Sequence, residues 1–218
     1  MSETKGMSNY EKWCEQWRVR YLDMDKEELR KRLPELKEEG DYFTITQFNR
    51  KFGIHKEEGH IVALEDDDKI FSYEKLNIYT LFGYVQKDAH FKNEWVPFEK
   101  LKSTSAFNPA FQDGLIKPFG RMFDGKIEKL QETFERLGAT KLSWADVGYE
   151  WKCFDCIPLR FLFWEGDEEF PSQGNILFDA SATDFIHGES IVTIATVGLV
   201  KLAKEAGVEI DASTMSLF

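Results

Sequence analysis

The segment Ile157–Trp164 has the sequence Ile-Pro-Leu-Arg-Phe-Leu-Phe-Trp, a dense apolar and aromatic run that only Pro158 and Arg160 interrupt. A run of this length and composition is typical of a strand that is buried on both faces of a sheet. We therefore predict that it forms a central strand and that the neighbouring segments pack around it.

The residues after this strand predict a second strand and a long helix. Residues 165–174 are an acidic connection, and residues 175–178 are a short apolar run. Residues 189–206 then have helical spacing and end before Gly207, and a glycine in that position is a common C-terminal helix signal. This order indicates two strands that are joined by an acidic connection and followed by a helix.

Helix signals also recur upstream of the apolar run. Ser8 and Glu11 have the spacing of a capping box, which predicts a helix near residues 9–22. Further helices are predicted to begin near residues 25, 72, 109 and 124, β-prone runs lie at residues 43–47 and 60–64, and residues 95–110 are expected to be irregular. Because helices and strands are clustered rather than regularly alternating, we predict an α+β fold with a mainly antiparallel sheet covered by several helices.

Length and composition predict one compact domain. The chain has 218 residues, of which 42% are hydrophobic and 31% are charged, and this is enough to bury a core. The sequence shows neither an internal repeat nor a break in composition that would divide it. We expect a flexible N-terminus at residues 1–8, a single α+β domain at residues 9–210 and a C-terminal tail at residues 211–218.

The charge of the chain limits the classes of partner. The formal net charge of −11 at pH 7 disfavours a nucleic-acid partner, because phosphate groups would be repelled. The longest apolar tract, residues 191–203, is shorter than the roughly 20 residues that cross a bilayer, so no membrane partner is expected. The polar residues 1–10 and the three cysteines predict a cytoplasmic protein with reduced thiols. The remaining partners are a small molecule or another protein.

Four carboxylates follow the apolar run within five residues: Glu165, Asp167, Glu168 and Glu169, which we call the acidic loop (residues 165–169). Charge beside an apolar strand is costly unless it faces outward and contacts water or a ligand. We expect the acidic loop to contact a ligand, together with three further residues: Arg121, Trp164 and His187. A solvated turn is the simpler interpretation of the same carboxylates.

A metal site is an alternative for this region. Carboxylate oxygens are the ligands that Mg²⁺ and Ca²⁺ prefer, and the candidates here are Asp167, Glu168 and Asp179. The spacing is not that of a helix-loop-helix calcium site. His187 lies between the acidic loop and the final predicted helix, where a carboxylate and a histidine can act as acid and base. The cofactor, if there is one, does not follow from these residues.

Two other features carry open alternatives. Cys153 and Cys156 have the spacing of redox and metal motifs, but they precede a strand instead of opening a helix, so buried structural residues are the simpler interpretation. The chain contains 19 Phe, 6 Trp and 7 Tyr, and a flat apolar ligand can bind among such rings where Arg121, Arg160 and Trp164 supply polar anchors. Rings at helix and strand spacing are more often part of a core.

Several stretches resemble a known family: residues 95–98, residues 107–123, and above all Phe-Trp-Glu-Gly-Asp-Glu-Glu-Phe-Pro at residues 163–171, followed by Leu-Phe-Asp at residues 177–179. They are similar to the uncharacterised prokaryotic family DUF3786, a domain of unknown function found largely in anaerobes, over most of residues 10–205. The resemblance implies a single cytoplasmic domain and assigns no catalytic residue. Some members are joined to iron–sulfur modules, but this chain has only three cysteines.

Three functional hypotheses follow from the sequence. The leading one is a cytoplasmic accessory or ligand-binding domain of anaerobic metabolism, in which the acidic loop lies beside an aromatic-rich interior. The second is a metal-assisted or acid-base enzyme that uses the acidic loop and His187. The third is a protein-interaction module, which an exposed apolar patch would mark.

Overall fold

The computed structural model describes residues 8–217, and in this part of the chain two antiparallel sheets are present. The N-terminal sheet has the strand order β1 (Lys37–Glu39), β2 (Tyr42–Gln47), β3 (Arg50–His55) and β4 (Ile61–Ala63). The C-terminal sheet has the order β5 (Trp95–Pro97), β9 (Gln173–Asp179), β8 (Ile157–Trp164), β7 (Val147–Phe154) and β6 (Thr140–Lys141). The apolar run is β8, so its predicted position at the centre of a sheet is confirmed.

Helices cover and connect the two sheets. Their bounds are α1 (Asn9–Leu22), α2 (Lys26–Arg32), α3 (Ser72–Tyr84), α4 (Asn108–Phe111), α5 (Lys117–Phe123), α6 (Ile127–Arg136), α7 (Ala182–Phe185), α8 (Gly188–Ala206) and α9 (Ala212–Met215). A π-helical turn, Gln112–Ile116, joins α4 to α5, and short 3-10 turns lie at Phe98–Lys100 and Ser105–Phe107. Helix α1 packs on α3, and α3 packs on α8. Within residues 8–217, none of these helices combines the length and apolar character of a bilayer span.

The core lies where the C-terminal sheet meets the helices and the N-terminal sheet. Leu159, Phe161 and Phe163 of β8 have no exposed surface, and the ring of Phe161 lies within about 6 Å of those of Phe119 and Phe134. The two sheets meet where Phe48 donates its backbone N–H to the carbonyl of Cys153 over 2.9 Å. The chain is therefore one α+β domain, as predicted.

The helix ends agree with the sequence signals. Ser8 and Glu11 form the predicted capping box at the start of α1, and Gly207 ends α8 in the left-handed conformation with φ of 62°. Ser8 is the N-cap of α1, whereas the rest of the predicted flexible segment, residues 1–7, lies outside the described residues. In the predicted tail, the structure places α9 and Leu217, while Phe218 is also outside the described residues.

Several strands were not predicted, among them β1, β3 and β5. Strand β3 begins with two cations and contains Gly53, a composition that disfavours strands. Its pairing with β2 is set by a two-residue turn, in which Phe48 and Asn49 both have positive φ (47° and 61°), as in type I′ hairpins. Strand β5 lies in the stretch expected to be irregular and forms only by pairing with β9. Strand β3 therefore forms through its hairpin with β2, and β5 forms through its pairing with β9.

A buried ion network joins the N-terminal sheet to α3 and α8. The carboxylate of Glu74 is almost fully buried and lies 3.2 Å from the guanidinium of Arg50 in β3 and 3.0 Å from the ammonium of Lys201 in α8. It also accepts the backbone N–H of Phe71 at the start of α3. A buried carboxylate is tolerated only when it is paired in this way. The network therefore fixes the first turn of α3 against both neighbours.

We expect Glu74→Ala to lower the free energy of unfolding by about 3 kcal/mol, because it leaves two partly buried cations without their shared partner. The measurement is urea unfolding followed by circular dichroism. The matched control is Asp113→Ala, which removes an exposed ion pair with Lys117 and should change stability by less than about 0.5 kcal/mol. Equal losses for the two variants would contradict a structural role for the buried network.

Candidate ligand-binding groove

The acidic loop connects β8 to β9 and is closed by its own backbone. Asp167 Oδ1 accepts the N–H groups of Glu169 and Phe170, each at 2.8 Å, and these hydrogen bonds lower the pKa of Asp167. Glu168 and Glu169 are exposed. The Asp167 carboxylate therefore has a structural partner set within the loop.

Glu165, at the start of the acidic loop, and the nearby predicted residue Arg121 each have a partner outside the loop. Glu165 Oε1 accepts the N–H of Gly125 at 2.8 Å. Arg121, which was expected to contact a ligand, pairs with the carboxylate of Asp211 at 2.9 Å. Trp164 is partly exposed at the end of β8. Trp164 thus lies directly before the acidic loop and Glu165 within it, whereas Arg121 pairs elsewhere.

Asp179 lies at the opposite end of β9 from the acidic loop. It is six positions after Gln173, the first residue of that strand, which corresponds to about 20 Å at roughly 3.4 Å per residue. The structure therefore does not bring together the three predicted metal ligands Asp167, Glu168 and Asp179. Within residues 8–217, no group of three or more His, Cys, Asp or Glu side chains is arranged to hold a metal ion.

The carboxylate of Asp179 instead organises the turn between β9 and α7. It is buried and accepts the backbone N–H groups of Lys92, Glu94 and Ser181, each at 3.0 Å, and the hydroxyl of Ser181. Burial on its own raises the pKa of Asp179, but these hydrogen bonds outweigh it and the pKa is lowered.

The two cysteines of the CxxC spacing lie at the tight turn between β7 and β8. Cys153 is fully buried, and the N–H groups of Asp155 and Cys156 are both accepted by the carboxylate of Glu35. Burial raises the pKa of both thiols well above the usual range. A buried, protonated thiol is a poor nucleophile and a poor metal ligand, so this geometry favours a structural role.

His187 lies apart from the acidic loop, in a cavity that we call the aromatic groove. The groove has a volume of about 490 Å³ and is bounded by α1, α3, the start of α8, the 3-10 turn before α4 and Leu217. His187 is the N-cap of α8, and its Nδ1 accepts the N–H of Glu189 at 3.3 Å. Of the predicted ligand residues, His187 is the one that lines this groove.

One end of the aromatic groove is formed by three rings. Tyr10 and Trp13 are in edge-to-face contact with centroids 5.2 Å apart, and Tyr10 lies 4.6 Å from Tyr73. The hydroxyl of Tyr73 donates to the carbonyl of Leu217 at 2.8 Å, which holds the C-terminal segment against the groove. These contacts fix the rings in place at this end.

The other end has a second set of rings. Tyr84 lies between Trp17 and His187, with centroid distances of 5.7 and 5.2 Å, and the ring of Phe107 lies 6.0 Å from His187. The ring of Trp17 packs directly on Gly83, where a Cβ atom would lie 2.3 Å from its Cζ3 atom. Glycine is therefore required at position 83 for this position of Trp17.

The floor of the aromatic groove is polar and belongs to α3 and α8. The hydroxyl of Thr80 donates to the carbonyl of Leu76, and that of Thr196 donates to the carbonyl of Val192, both at 2.7 Å. The single hydroxyl of Thr193 lies 2.8 Å from the carbonyl oxygen of Ser190 and 2.5 Å from Asn77 Oδ1. A cavity with aromatic walls and a few placed polar groups has the composition of a small-molecule site.

Two other cavities have a different character. One of about 610 Å³ contains the Glu74 network and is lined mainly by charged side chains. There the donors of Arg50 are already engaged by Asp66, Glu74 and the carbonyl of Asp68. A third, of about 520 Å³, contains the Arg121–Asp211 pair. Because their charged groups neutralise one another, these cavities offer less to a ligand than the aromatic groove.

Most residues that line the aromatic groove were not predicted from the sequence as ligand contacts. The four-residue spacing of Trp13, Trp17 and Tyr21 was recognised as one face of α1. In the structure Tyr21 is buried, Trp17 is half-buried and Trp13 is 46% exposed, so this face passes from the core into the groove. The unusual density of Trp and Tyr on one short helix was the signal that could have identified it.

The fold and the groove define a class of protein: a single α+β domain with an aromatic cavity between α1, α3 and α8. The chain belongs to the family described as Domain of unknown function (DUF3786), which matches residues 9–200. This finding confirms the resemblance noted in the sequence. The matched range contains β8, the acidic loop and all of the groove residues named above except Leu217. No curated protein and no solved structure matches the chain.

We expect Asp179→Asn to lower the free energy of unfolding by about 2 kcal/mol at pH 7, because the amide presents N–H groups to buried backbone donors. The pKa of Asp179 is lower in the folded chain than the value of about 3.9 in an unfolded one, so its stabilising effect is present above about pH 4. This effect is lost as the pH falls through the folded pKa, and the two proteins should then converge in urea unfolding. Glu168→Gln, on the exposed loop, is the control and should change stability by less than about 0.5 kcal/mol.

Gly83→Ala tests the contact that positions Trp17. In a helix this change usually stabilises by about 0.5 kcal/mol, but here the added methyl group must displace the Trp17 ring. We expect no gain in the wild-type background and a gain of about 0.5 kcal/mol in a Trp17→Ala background, measured by urea unfolding as a double-mutant cycle. The same gain in both backgrounds would show that the contact carries no energy.

Proposed function

We propose that this domain binds a planar aromatic small molecule in the aromatic groove. The observation that carries the proposal is the presence of two fixed sets of aromatic rings at the ends of one cavity with a polar floor. Planar ligands gain dispersion and quadrupole interactions from such rings, in stacked or edge-on geometry. This interaction needs no catalytic group. We therefore retain the leading hypothesis of a binding or accessory domain.

The size of the groove supports a small ligand. Its volume of about 490 Å³ lies within the range of roughly 300–1,000 Å³ that is usual for small-molecule sites. Trp13 and Tyr84 are 46% and 43% exposed at its two ends, and a bound ring would cover apolar surface that now faces solvent. Burial of that surface would provide the main driving force for binding.

The polar residues at the mouth of the groove would orient the ligand. His187 Nδ1 accepts a backbone hydrogen bond, so in the neutral ring the hydrogen is on Nε2. Arg20 lies over the ring of Trp17 at 4.7 Å, and Glu189 is exposed beside His187. The mouth thus offers donors from His187 and Arg20 and an acceptor from Glu189.

The acidic loop is a separate part of the proposal. The ligand contacts of this loop stay a prediction. The cytoplasmic and anaerobic setting, which was inferred from sequence and resemblance, also stays a prediction. Glu168 and Glu169 are exposed and available to a partner, whereas Asp167 is engaged in closing the loop. We therefore expect any ligand contact of the loop to involve Glu168 and Glu169 and to be independent of the aromatic groove.

The test is ligand-observed saturation-transfer NMR with three bicyclic probes, namely indole, 1-methylindole and benzofuran, titrated into the full-length protein. We expect at least one probe to bind and Trp13→Ala to weaken that binding about fivefold, because one aromatic wall is lost. The matched control is Trp144→Ala, since Trp144 is about equally exposed at 48% but lies between β6 and β7, beside Arg160.

Two outcomes would overturn the proposed function. One is that none of the three probes binds the wild-type protein. The other is that Trp13→Ala and Trp144→Ala weaken binding equally, which would indicate nonspecific contact with exposed tryptophans. If Trp13→Ala instead abolished recovery of a partner protein while probe binding was absent, the groove would be a protein-interaction surface.

A further inference from the structure

The hydroxyl groups of the groove floor have already used their hydrogens. A threonine hydroxyl has one hydrogen to donate and two lone pairs that accept. Thr80, Thr193 and Thr196 each donate to an oxygen within α3 or α8. A ligand atom that meets one of these hydroxyls therefore meets an acceptor.

The hydrogen-bond assignment at Thr193 does not alter this conclusion. Its hydroxyl is close to both Asn77 Oδ1 and the carbonyl of Ser190. Oxygen and nitrogen of an amide side chain are assigned from the hydrogen bonds that they make. If the amide of Asn77 were turned over, its Nδ2 would donate to Thr193, and the Thr193 hydrogen would still go to Ser190. In either orientation Thr193 has no hydrogen left for a ligand.

Burial makes the floor selective. Thr80 and Thr196 are 8% and 2% exposed, so a bound ring would remove them from the remaining water. A ligand that placed a carbonyl or ether oxygen against them would bury acceptors against one another, which leaves their hydrogen-bonding capacity unused. A ligand that placed an N–H group there would donate a hydrogen bond to a lone pair of these hydroxyls.

The charge distribution adds a second selection. Donors that can meet an acceptor on the ligand, His187 and Arg20, lie at the mouth, where Glu189 is also exposed. The chain as a whole has a net charge of −11, which disfavours anionic ligands. The floor thus favours hydrogen-bond donors on one edge of the ligand ring, and the mouth favours hydrogen-bond acceptors on the opposite edge.

Resting on the proposed function, we infer that the ligand is a neutral or cationic aromatic amine or N–H heterocycle whose hydrogens point to the threonine floor. Its chemical class is a planar ring system with one N–H edge. Rings whose inner edge carries only acceptors, such as carbonyl or ether oxygens, are disfavoured. The floor threonines are then the residues that determine specificity, and the aromatic rings supply most of the affinity.

The three probes named above separate affinity from specificity. Indole, 1-methylindole and benzofuran have nearly the same shape, and of these only indole can donate a hydrogen bond. We expect indole to bind the wild-type protein about fivefold more tightly than 1-methylindole or benzofuran, the effect of about one hydrogen bond. Dissociation constants come from the same NMR titrations.

The decisive variant is the pair Thr80→Val and Thr196→Val, which removes the two buried acceptors of the floor and preserves the shape of both side chains. Thr193 is left unchanged because it is only half-buried, so water can satisfy its hydroxyl whichever probe binds. We expect the ratio of the benzofuran and indole dissociation constants to fall to about one, while benzofuran binding itself is unchanged. The control is the pair Thr80→Ser and Thr196→Ser, which retains both hydroxyls and should retain the preference for indole. Thermal unfolding checks that all variants are folded.

The outcomes distinguish this inference from the proposed function. If benzofuran binds the wild-type protein as tightly as indole, or if the ratio is the same in the valine pair, the donor inference is overturned and the groove remains a binding site. If no probe binds, the proposed function itself fails. If the valine pair weakens all three probes equally, the threonines shape the groove without selecting the ligand, and the inference is also overturned.

Discussion

The buried carboxylate of Glu74 is the constraint on which the arrangement of α3 and α8 depends. It lies at the start of α3, and Lys201 lies in the last third of α8, so the two helices pack side by side in opposite directions. At the far end of this packing Tyr84 contacts His187. The ion network therefore fixes one end of the helix pair, and the aromatic groove runs along the pair from Tyr73, beside Glu74, to Tyr84.

Helix α1 completes the groove because the aromatic residues on one of its faces become more exposed towards its N-terminus. Tyr21 anchors it in the core, Trp17 rests on Gly83, and Trp13 reaches solvent. An aromatic side chain in such a position contributes to stability and presents surface to a ligand at the same time. The same face of α1 thus packs on the core and lines the aromatic groove.

The sequence predicted what depends on local interactions. The central strand β8, the capping box of α1 and the glycine that ends α8 were all foreseen, because each signal lies within a few residues of the structure it produces. Strand β5 was not foreseen because its partner β9 is distant in sequence, and β3 was not foreseen because its two cations and Gly53 disfavour a strand. At the site, His187 was identified, whereas the separation of Asp179 from the acidic loop depends on the length of β9. Proximity in sequence is no measure of distance when a strand intervenes.

Both sheets end on very short strands. The outer strands β1, β4 and β5 have three residues each and β6 has two, and β5 includes Pro97, which has no N–H to donate. Long, flat edges act as templates on which other chains add strands and aggregate. Such short edge strands expose few unpaired backbone groups. The sheets contain many phenylalanines, but their short edges protect the domain from polymerising by strand addition.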